Sequence, residues 1–137
     1  MRKLIGTLLA AAAVLGMTAT ADARSPRKDP EAKLAKLLEG RVAGEPQDCI
    51  YLPSIRESTI IRRTAIVYGA GPTIWVNRPD VGANSLDDDD ILVTDLHGSG
   101  TSLCSIDIVR LHDRSNFFYS GFVGLGKFVP YRKVAQN

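Results

Sequence analysis

The chain has 137 residues, of which 45% are hydrophobic and 23% are charged, and its formal net charge is +2. This length suits one domain. A nearly neutral charge with no clustered basic face gives no electrostatic case for nucleic acid, so we expect no nucleic-acid partner.

Residues 1–23 have the pattern of a secretory signal peptide. The basic residues Arg2 and Lys3 precede an apolar run from Leu4 to Met17, and small residues stand at the expected cleavage site after Ala23. A membrane anchor is the alternative, but the apolar run is shorter than the about 20 residues of a spanning helix. We therefore expect a cleaved, periplasmic or secreted protein with no transmembrane segment in its mature part.

Cleavage there would leave 114 residues with 15 basic and 14 acidic side chains. We expect residues 24–29 to form a flexible leader and residues 30–137 to form a single β-rich domain. A domain of this size buries about 65% of the surface of its unfolded chain, which supports one modest core.

A helix over residues 30–39 opens the domain. Asp29 is a suitable N-cap, Pro30 favours the first helical position, and Gly40 is a natural stop. Three leucines at positions 34, 37 and 38 form one apolar stripe. Because so short a helix is marginal in isolation, we expect this stripe to pack on the sheet that follows.

The pattern changes to β from Cys49 onward, after a connecting loop over residues 41–48. Strands are predicted over residues 49–52, 58–68, 73–77, 91–96, 101–111, 116–120 and 128–131. The turn over residues 69–72, Gly-Ala-Gly-Pro, predicts a hairpin between the second and third of these strands. Short strands joined by turns favour a mainly β (α+β) fold, either an antiparallel meander or a small open barrel.

The two cysteines, Cys49 and Cys104, are expected to form a disulfide. Both belong to the mature part of an exported chain, and an oxidising compartment closes such pairs. The loop encloses about 56 residues, for which the chain-entropy model gives about 4 kcal/mol of stabilisation. Since disulfides are usually buried, the face that carries Cys104, Ile106 and Ile108 is predicted to be the core face.

The run Asp87-Asp88-Asp89-Asp90 raises the question of calcium, which prefers six to eight oxygen ligands. The alternate spacing, glycine and terminal glutamate of an EF-hand loop are missing. The simpler interpretation is a solvated acidic loop that keeps strand edges from pairing wrongly. We therefore predict no metal site and no cofactor, with calcium at these aspartates as the weaker alternative.

His97 and His112 are the only histidines, and each is a possible base or ligand. His97 stands in a glycine-rich turn beside Ser99, but the five-residue nucleophile elbow and its strand-to-helix setting are missing. Both histidines are predicted as loop residues beyond the ends of two different strands, so the sequence does not bring them together. No catalytic residue is assigned.

Three aromatic residues, Trp75, Tyr68 and Tyr51, form a candidate binding surface. The alternative is that they fill the core, as aromatics on strands commonly do. No further chemical motif accompanies them.

Several segments of the chain together resemble a family of short exported proteins of alphaproteobacteria, whose function is unknown. They are Cys49-Ile50, Ala65-Ile66-Val67-Tyr68, Trp75-Val76-Asn77, Asp89-Asp90-Ile91-Leu92-Val93, Leu103-Cys104-Ser105-Ile106-Asp107 and Phe128-Val129-Pro130-Tyr131. The resemblance covers roughly residues 49–131. It implies a Gram-negative envelope and a periplasmic location, and it assigns no functional residue.

Three hypotheses of function follow from these features. The leading one is a non-catalytic binding or interaction module of the cell envelope, whose partner is an envelope protein or a small ligand. The first alternative is a small exported enzyme or ligand-binding barrel that uses His97, Ser99 and His112. The second alternative is a secreted inhibitor of a hydrolase, since disulfide-tied β domains present rigid loops well.

Overall fold

The computed structural model describes residues 29–96 and 100–135. The predicted signal peptide, most of the leader, His97 and Ser99 therefore lie outside the described residues. Within this part of the chain no helix is long and apolar enough to span a membrane.

The described residues form one α-helix, ten short strands and two short 3-10 turns. The helix is α1 (Pro30–Leu38), and the 3-10 turns are Leu52–Ser54 and Ala83–Ser85. The strands are β1 (Arg41–Ala43), β2 (Cys49–Tyr51), β3 (Ser58–Ile61), β4 (Ala65–Tyr68), β5 (Thr73–Asn77), β6 (Asp90–Thr94), β7 (Ser102–Cys104), β8 (Ile108–Asp113), β9 (Tyr119–Gly124) and β10 (Phe128–Lys133).

The strands form three antiparallel sheets that do not close into a barrel. The largest sheet has the order β1-β10-β5-β4-β3, the second has the order β6-β8-β9, and β2 pairs with β7. The prediction of a mainly β, antiparallel fold with one N-terminal helix and one disulfide is therefore confirmed. The last strand, β10, lies between β1 and β5, so the first and last described strands pair in one sheet.

The helix begins and packs as its sequence predicts. The Asp29 side chain accepts a hydrogen bond from the Glu31 amide at 3.0 Å, and Pro30 occupies the first turn. Leu34 is buried and Leu38 is partly buried against the large sheet, whereas Leu37 is exposed. Two of the three stripe leucines thus dock the helix.

Two apolar clusters lie on opposite faces of the large sheet. Residues beneath the helix form one cluster: Leu34, Ile61, Ala65, Val67, Ile74 and Val76. The other cluster joins the large sheet to the two smaller ones: Ile50, Ile60, Ile66, Tyr68, Leu86, Leu103, Val109, Leu111, Val123, Leu125 and Phe128. Because both faces of the large sheet are covered, all four residues of β4 are buried.

The predicted long strand over residues 58–68 is wrong, because the chain reverses inside it. Residues 62–64 form a turn between β3 and β4, which pair antiparallel with Ile61 opposite Ala65. Arg63 adopts a left-handed conformation with φ of 54°, and its amide donates to the Leu86 carbonyl. The turn contains neither glycine nor proline, so the usual turn signal is missing.

The predicted strand over residues 101–111 is also wrong, since residues 105–107 turn between β7 and β8. Asp107 is buried, and its carboxylate accepts a hydrogen bond from the Cys104 amide at 2.7 Å. The predicted core face is reversed as well: Ile106 is 79% exposed and Ile108 is 49% exposed. The opposite residues of these strands, Leu103, Val109 and Leu111, are the buried ones.

The disulfide between Cys49 and Cys104 is present, with a Cα–Cα distance of 4.0 Å. The two cysteines stand directly opposite each other in β2 and β7. The neighbouring pair of Asp48 and Ser105 is hydrogen-bonded, so the cysteines occupy a non-hydrogen-bonded position, where Cα atoms approach most closely. Cys49 is exposed and Cys104 is half-buried, which explains why the disulfide face is not the core face.

Other boundaries differ by a few residues. The predicted loop over residues 41–48 contains β1, which pairs with β10. The strand predicted over residues 116–120 begins later, at Tyr119, and continues to Gly124. Both differences come from pairing with distant segments, which local sequence does not indicate.

Candidate functional site

The second sheet has an outer face that is open to solvent along β8. Val109 and Leu111 are fully buried and point into the core. Because side chains alternate along a strand, Ile108, Arg110 and His112 point outward. Of these, His112 is half-buried, and the other two are exposed.

Two aromatic residues of β9 extend this outer face. Phe122 stands opposite Arg110, and Tyr119 stands opposite His112 after a bulge that follows Leu111. The His112 and Tyr119 rings meet edge to face, with their centroids 6.0 Å apart. Tyr119 is 58% exposed and Phe122 is 45% exposed, so both rings present much of their surface to solvent.

Two more aromatic residues stand at the tip between β8 and β9, where Phe117 is 69% exposed and Phe118 is 74% exposed. We refer to Phe117, Phe118, Tyr119 and Phe122 as the aromatic hairpin. At about 200 Å² per aromatic side chain, the hairpin exposes on the order of 500 Å². This total is spread over the outer face of β9 and the turn before it.

The tip is held by hydrogen bonds centred on Asp113. Its carboxylate accepts from the Ser115 amide at 2.8 Å, from the Ser115 hydroxyl and from the Asn116 amide at 3.2 Å. Its main chain donates to the Phe118 carbonyl and accepts from the Phe117 amide. The exposed aromatics are therefore carried on an ordered turn.

The backbone of Phe117 is left-handed, with φ of 61°. A residue with a side chain pays about 1–2 kcal/mol for this conformation. Two bonds fix it from either side: Asn116 Oδ1 accepts from the Phe118 amide at 2.8 Å, and His112 Nδ1 lies 3.0 Å from the Phe117 carbonyl oxygen. A bulky exposed residue in a strained, well-bonded position is typical of functional loops.

The charges around the hairpin are bound to protein partners. The pKa of Asp113 lies below its ordinary value of 3.8, chiefly because the Ser115 hydroxyl donates to the carboxylate, with help from the Ser115 and Asn116 amides. On the outer face, Arg110 Nη2 lies 2.6 Å from Asp95 Oδ2. The aromatic surface is thus bordered by polar groups that are hydrogen-bonded or ion-paired within the protein.

The residues of the predicted aromatic surface are separated by the fold. Tyr68 is buried in the core, Trp75 is partly buried beside it, and Tyr51 is exposed on the small β2–β7 sheet. Burial raises the pKa of the Tyr68 hydroxyl far above its ordinary range. The Tyr68 hydroxyl and the Trp75 indole nitrogen are both buried without a hydrogen-bond partner in the described part of the chain.

His112 lies inside β8, not in the loop that the sequence predicts for it. Its Nδ1 is engaged with the Phe117 carbonyl, and its ring contacts Tyr119. His97 and Ser99 lie outside the described residues, so the proposed catalytic grouping stays a prediction.

The four aspartates over residues 87–90 have separate structural partners. Asp87 pairs with Arg62 at 2.8 Å, and Asp88 pairs with Lys33 at 3.0 Å. Asp90 is buried, where it accepts from the Ser120 hydroxyl, and Asp89 donates its amide to Asp87. Over residues 29–96 and 100–135, no three acidic, histidine or cysteine side chains converge on a common metal position.

The aromatic hairpin was not predicted from the sequence, although the sequence contains a pattern that indicates it. Phe117, Phe118 and Tyr119 are consecutive. Because side chains alternate across a strand, three consecutive aromatics cannot all face one core. Their position directly after the polar Asp-Arg-Ser-Asn turn indicates exposure at a hairpin tip.

The chain matches no protein-family model, no curated protein and no solved structure.

Proposed function

We propose that this protein is a non-catalytic binding module of the cell envelope, which binds a folded partner protein through the aromatic hairpin. The observation that carries the proposal is the exposure of Phe117 and Phe118 on a turn fixed by Asp113. Protein interfaces concentrate aromatic residues at their centre and polar residues at their rim.

The size and rigidity of the hairpin fit this role. A standard interface buries about 800 Å² on each partner, and the exposed rings of Phe117 and Phe118 at the tip would supply its aromatic centre. Because the tip is already ordered by the Asp113 bonds, little conformational entropy is lost when it docks. The bordering Arg110 and Asp95 would supply the polar rim.

The envelope location is part of the proposal. The N-terminal signal pattern, the resemblance to exported alphaproteobacterial proteins and the Cys49–Cys104 disulfide all support it. Disulfides persist in the periplasm and outside the cell, whereas cytosolic thiols are kept reduced.

The test is a paired capture from envelope extract, with the mature protein and a Phe117→Ser/Phe118→Ser variant as baits. We expect a protein that the first bait enriches and the variant loses. The purified partner should then bind the variant at least about 30-fold more weakly, since central aromatic residues commonly contribute about 2 kcal/mol each.

A Val42→Ser variant is the matched control, because Val42 is an exposed apolar residue on a different sheet. It should retain the partner that the double variant loses. Identical sets of captured proteins for all three baits would contradict the proposal. Capture of a hydrolase whose activity the bait blocks would instead favour the inhibitor hypothesis.

A further inference from the structure

An open groove separates the large sheet from the second sheet, with β3 on one wall and β6 on the other. Both are edge strands in the described structure. Two cavities of about 440 Å³ and 210 Å³ lie along the groove, and Ser58 and Leu92 line both of them. We refer to this space as the edge groove.

The wall formed by β3 presents main-chain groups that do not pair with β4. The Glu57 carbonyl accepts a hydrogen bond from the Gly69 amide, so Glu57 and every second residue after it bond to β4. The main-chain groups of the residues between them, Ser58 and Ile60, therefore point away from β4. Lys33 confirms this direction, because its ammonium group reaches the Ile60 carbonyl from the groove side at 3.4 Å. Among the described residues, no partner meets the amides of Ser58 and Ile60.

The wall formed by β6 has the same property. Arg114 donates its amide to the Asp89 carbonyl, so alternate residues of β6 pair with β8. The main chain of Leu92 and Thr94 therefore points into the groove. No described residue donates to or accepts from these groups. By contrast, the outer edge of β9 is bridged at Gly124.

A buried hydroxyl adds a second, independent observation. Tyr68 lines the smaller cavity, its side chain is 4% exposed, and its hydroxyl has no partner in the described part of the chain. Buried polar atoms are nearly always hydrogen-bonded, so this cavity is lined by a residue whose hydroxyl is satisfied by no described part of the chain.

The charges of the groove indicate main-chain recognition. Lys33 pairs with Asp88 at 3.0 Å, and Arg114 donates to the Asp90 carbonyl at 3.4 Å. The smaller cavity is lined by one basic and one acidic residue, Arg56 and Glu57. Positive and negative groups are therefore balanced, which leaves the two rows of amides and carbonyls as the recognition elements.

We propose that the edge groove binds an extended peptide segment of a partner protein, which adds a strand against β3 and β6. Strand addition to an exposed edge is a common mode of peptide recognition. An extended segment has hydrogen-bonding groups on both of its edges and can use the free main-chain groups of both walls, whereas the edge strand of a folded second copy is already paired on one side. At about 3.3 Å per residue, the four residues of β3 span about 13 Å and accommodate about four residues of the segment.

The probe is a phage-displayed library of random nonapeptides, selected against the mature protein. The strongest peptide is then titrated calorimetrically into Ser58→Pro and Thr94→Pro, each of which removes one groove-facing amide. We expect binding to weaken about tenfold in each variant, the loss of one main-chain hydrogen bond. The matched controls Ser58→Ala and Thr94→Val keep the amides and should bind as the original protein does.

Proline at these positions removes no hydrogen bond to β4 or β8, so the fold should survive. Should either variant unfold, N-methylation of the peptide tests the same hydrogen bonds on the unchanged protein. Methylation of every second peptide amide gives two possible sets, and the set whose amides face the walls should abolish binding. Failure to enrich any peptide would overturn the proposal. The proposal would also be overturned if the peptide bound the proline variants as tightly as the original protein and if N-methylation of either set of peptide residues left its affinity unchanged. A dimer of the original protein that Ser58→Pro no longer forms would overturn it as well, because the groove would then bind a second copy.

The result is independent of the aromatic hairpin. A peptide that binds the groove should bind Phe117→Ser/Phe118→Ser with unchanged affinity. A peptide that binds the hairpin should fail to bind that variant and should still bind Ser58→Pro. The two proposals can therefore fail separately.

Discussion

Removal of the disulfide should cost this domain a large share of its stability. Cys49 and Cys104 are separated by 55 residues, and the loop that they close contains β3, β4 and β5 of the large sheet and β6 of the second sheet. The chain-entropy relation gives about 4 kcal/mol for a loop of this length. Since Cys49 is exposed and Cys104 half-buried, alanine at both positions removes little packing, and the loss should report the crosslink itself.

The assay is urea unfolding of the mature protein and of Cys49→Ala/Cys104→Ala. Domains of this size are stable by about 5–15 kcal/mol, so the midpoint should fall sharply. The thermal midpoint should fall by roughly 20 °C. The m-value should rise, because an uncrosslinked denatured chain exposes more surface.

Reductant is the control for this experiment. It should destabilise the original protein to the level of the double variant and leave the double variant unchanged. A difference below about 1 kcal/mol between the two proteins, with equal m-values, would refute the reasoning that the crosslink acts by restricting the unfolded chain.

Three further changes test other parts of the structure. Asn77→Ala should lower the free energy of unfolding by about 3 kcal/mol in urea titration, because buried Asn77 exchanges two hydrogen bonds with the Gly126 main chain; a loss below about 1 kcal/mol would contradict this. Arg63→Gly should raise it by about 0.5–1 kcal/mol, since relief of the left-handed conformation outweighs the added chain entropy; a lower melting temperature would be the opposite result. Ser115→Ala should raise the pKa of Asp113 toward 3.8 in an NMR titration. Because the folded-state pKa is lowered, the Asp113 contribution is complete above 3.8 and is lost as the pH falls through the lower value, so an unchanged titration in the variant would contradict the assignment.

The sequence predicted those parts of the fold that depend on local signals. Asp29 and Gly40 marked the two ends of the helix, and the turn over residues 69–72 marked the hairpin of β4 and β5. The pairing of Cys49 with Cys104 followed from composition and the expected compartment. The helix and the hairpin each depend on a few adjacent residues, and two cysteines allow only one pairing within the chain.

The parts that were missed depend on contacts between distant segments. Arg63 turns the chain in a conformation that arginine rarely adopts, and its amide is bonded to Leu86, which lies 23 positions further along. Asp107 is buried in a turn beside the disulfide, whereas a charged residue is normally predicted to be exposed to solvent. The sequence pattern continued through both turns, so each pair of strands was predicted as one long strand. In the second pair the core face was also reversed, because it was chosen from the expected burial of the disulfide.

The candidate site was missed for a different reason. The predicted binding surface consisted of aromatics on strands, of which Trp75 and Tyr68 pack in the core and Tyr51 is exposed on the small β2–β7 sheet. Exposure of Phe117 and Phe118 follows from the length of the β8–β9 hairpin, which extends past the core. Where a hairpin ends relative to the core is set by the register of two strands, and a single sequence does not give that register.

The two proposed sites share one structural support, the position of the second sheet. The aromatic hairpin is formed by β8 and β9, and the edge groove is bordered by β6 on the other side of β8. Cys104 lies four residues before β8 and is joined to it by the turn in which Asp107 binds the Cys104 amide. The hairpin tip depends on its own Asp113 bonds, whereas the groove depends on how the second sheet stands against the large one. The disulfide therefore bears on the groove more directly than on the hairpin.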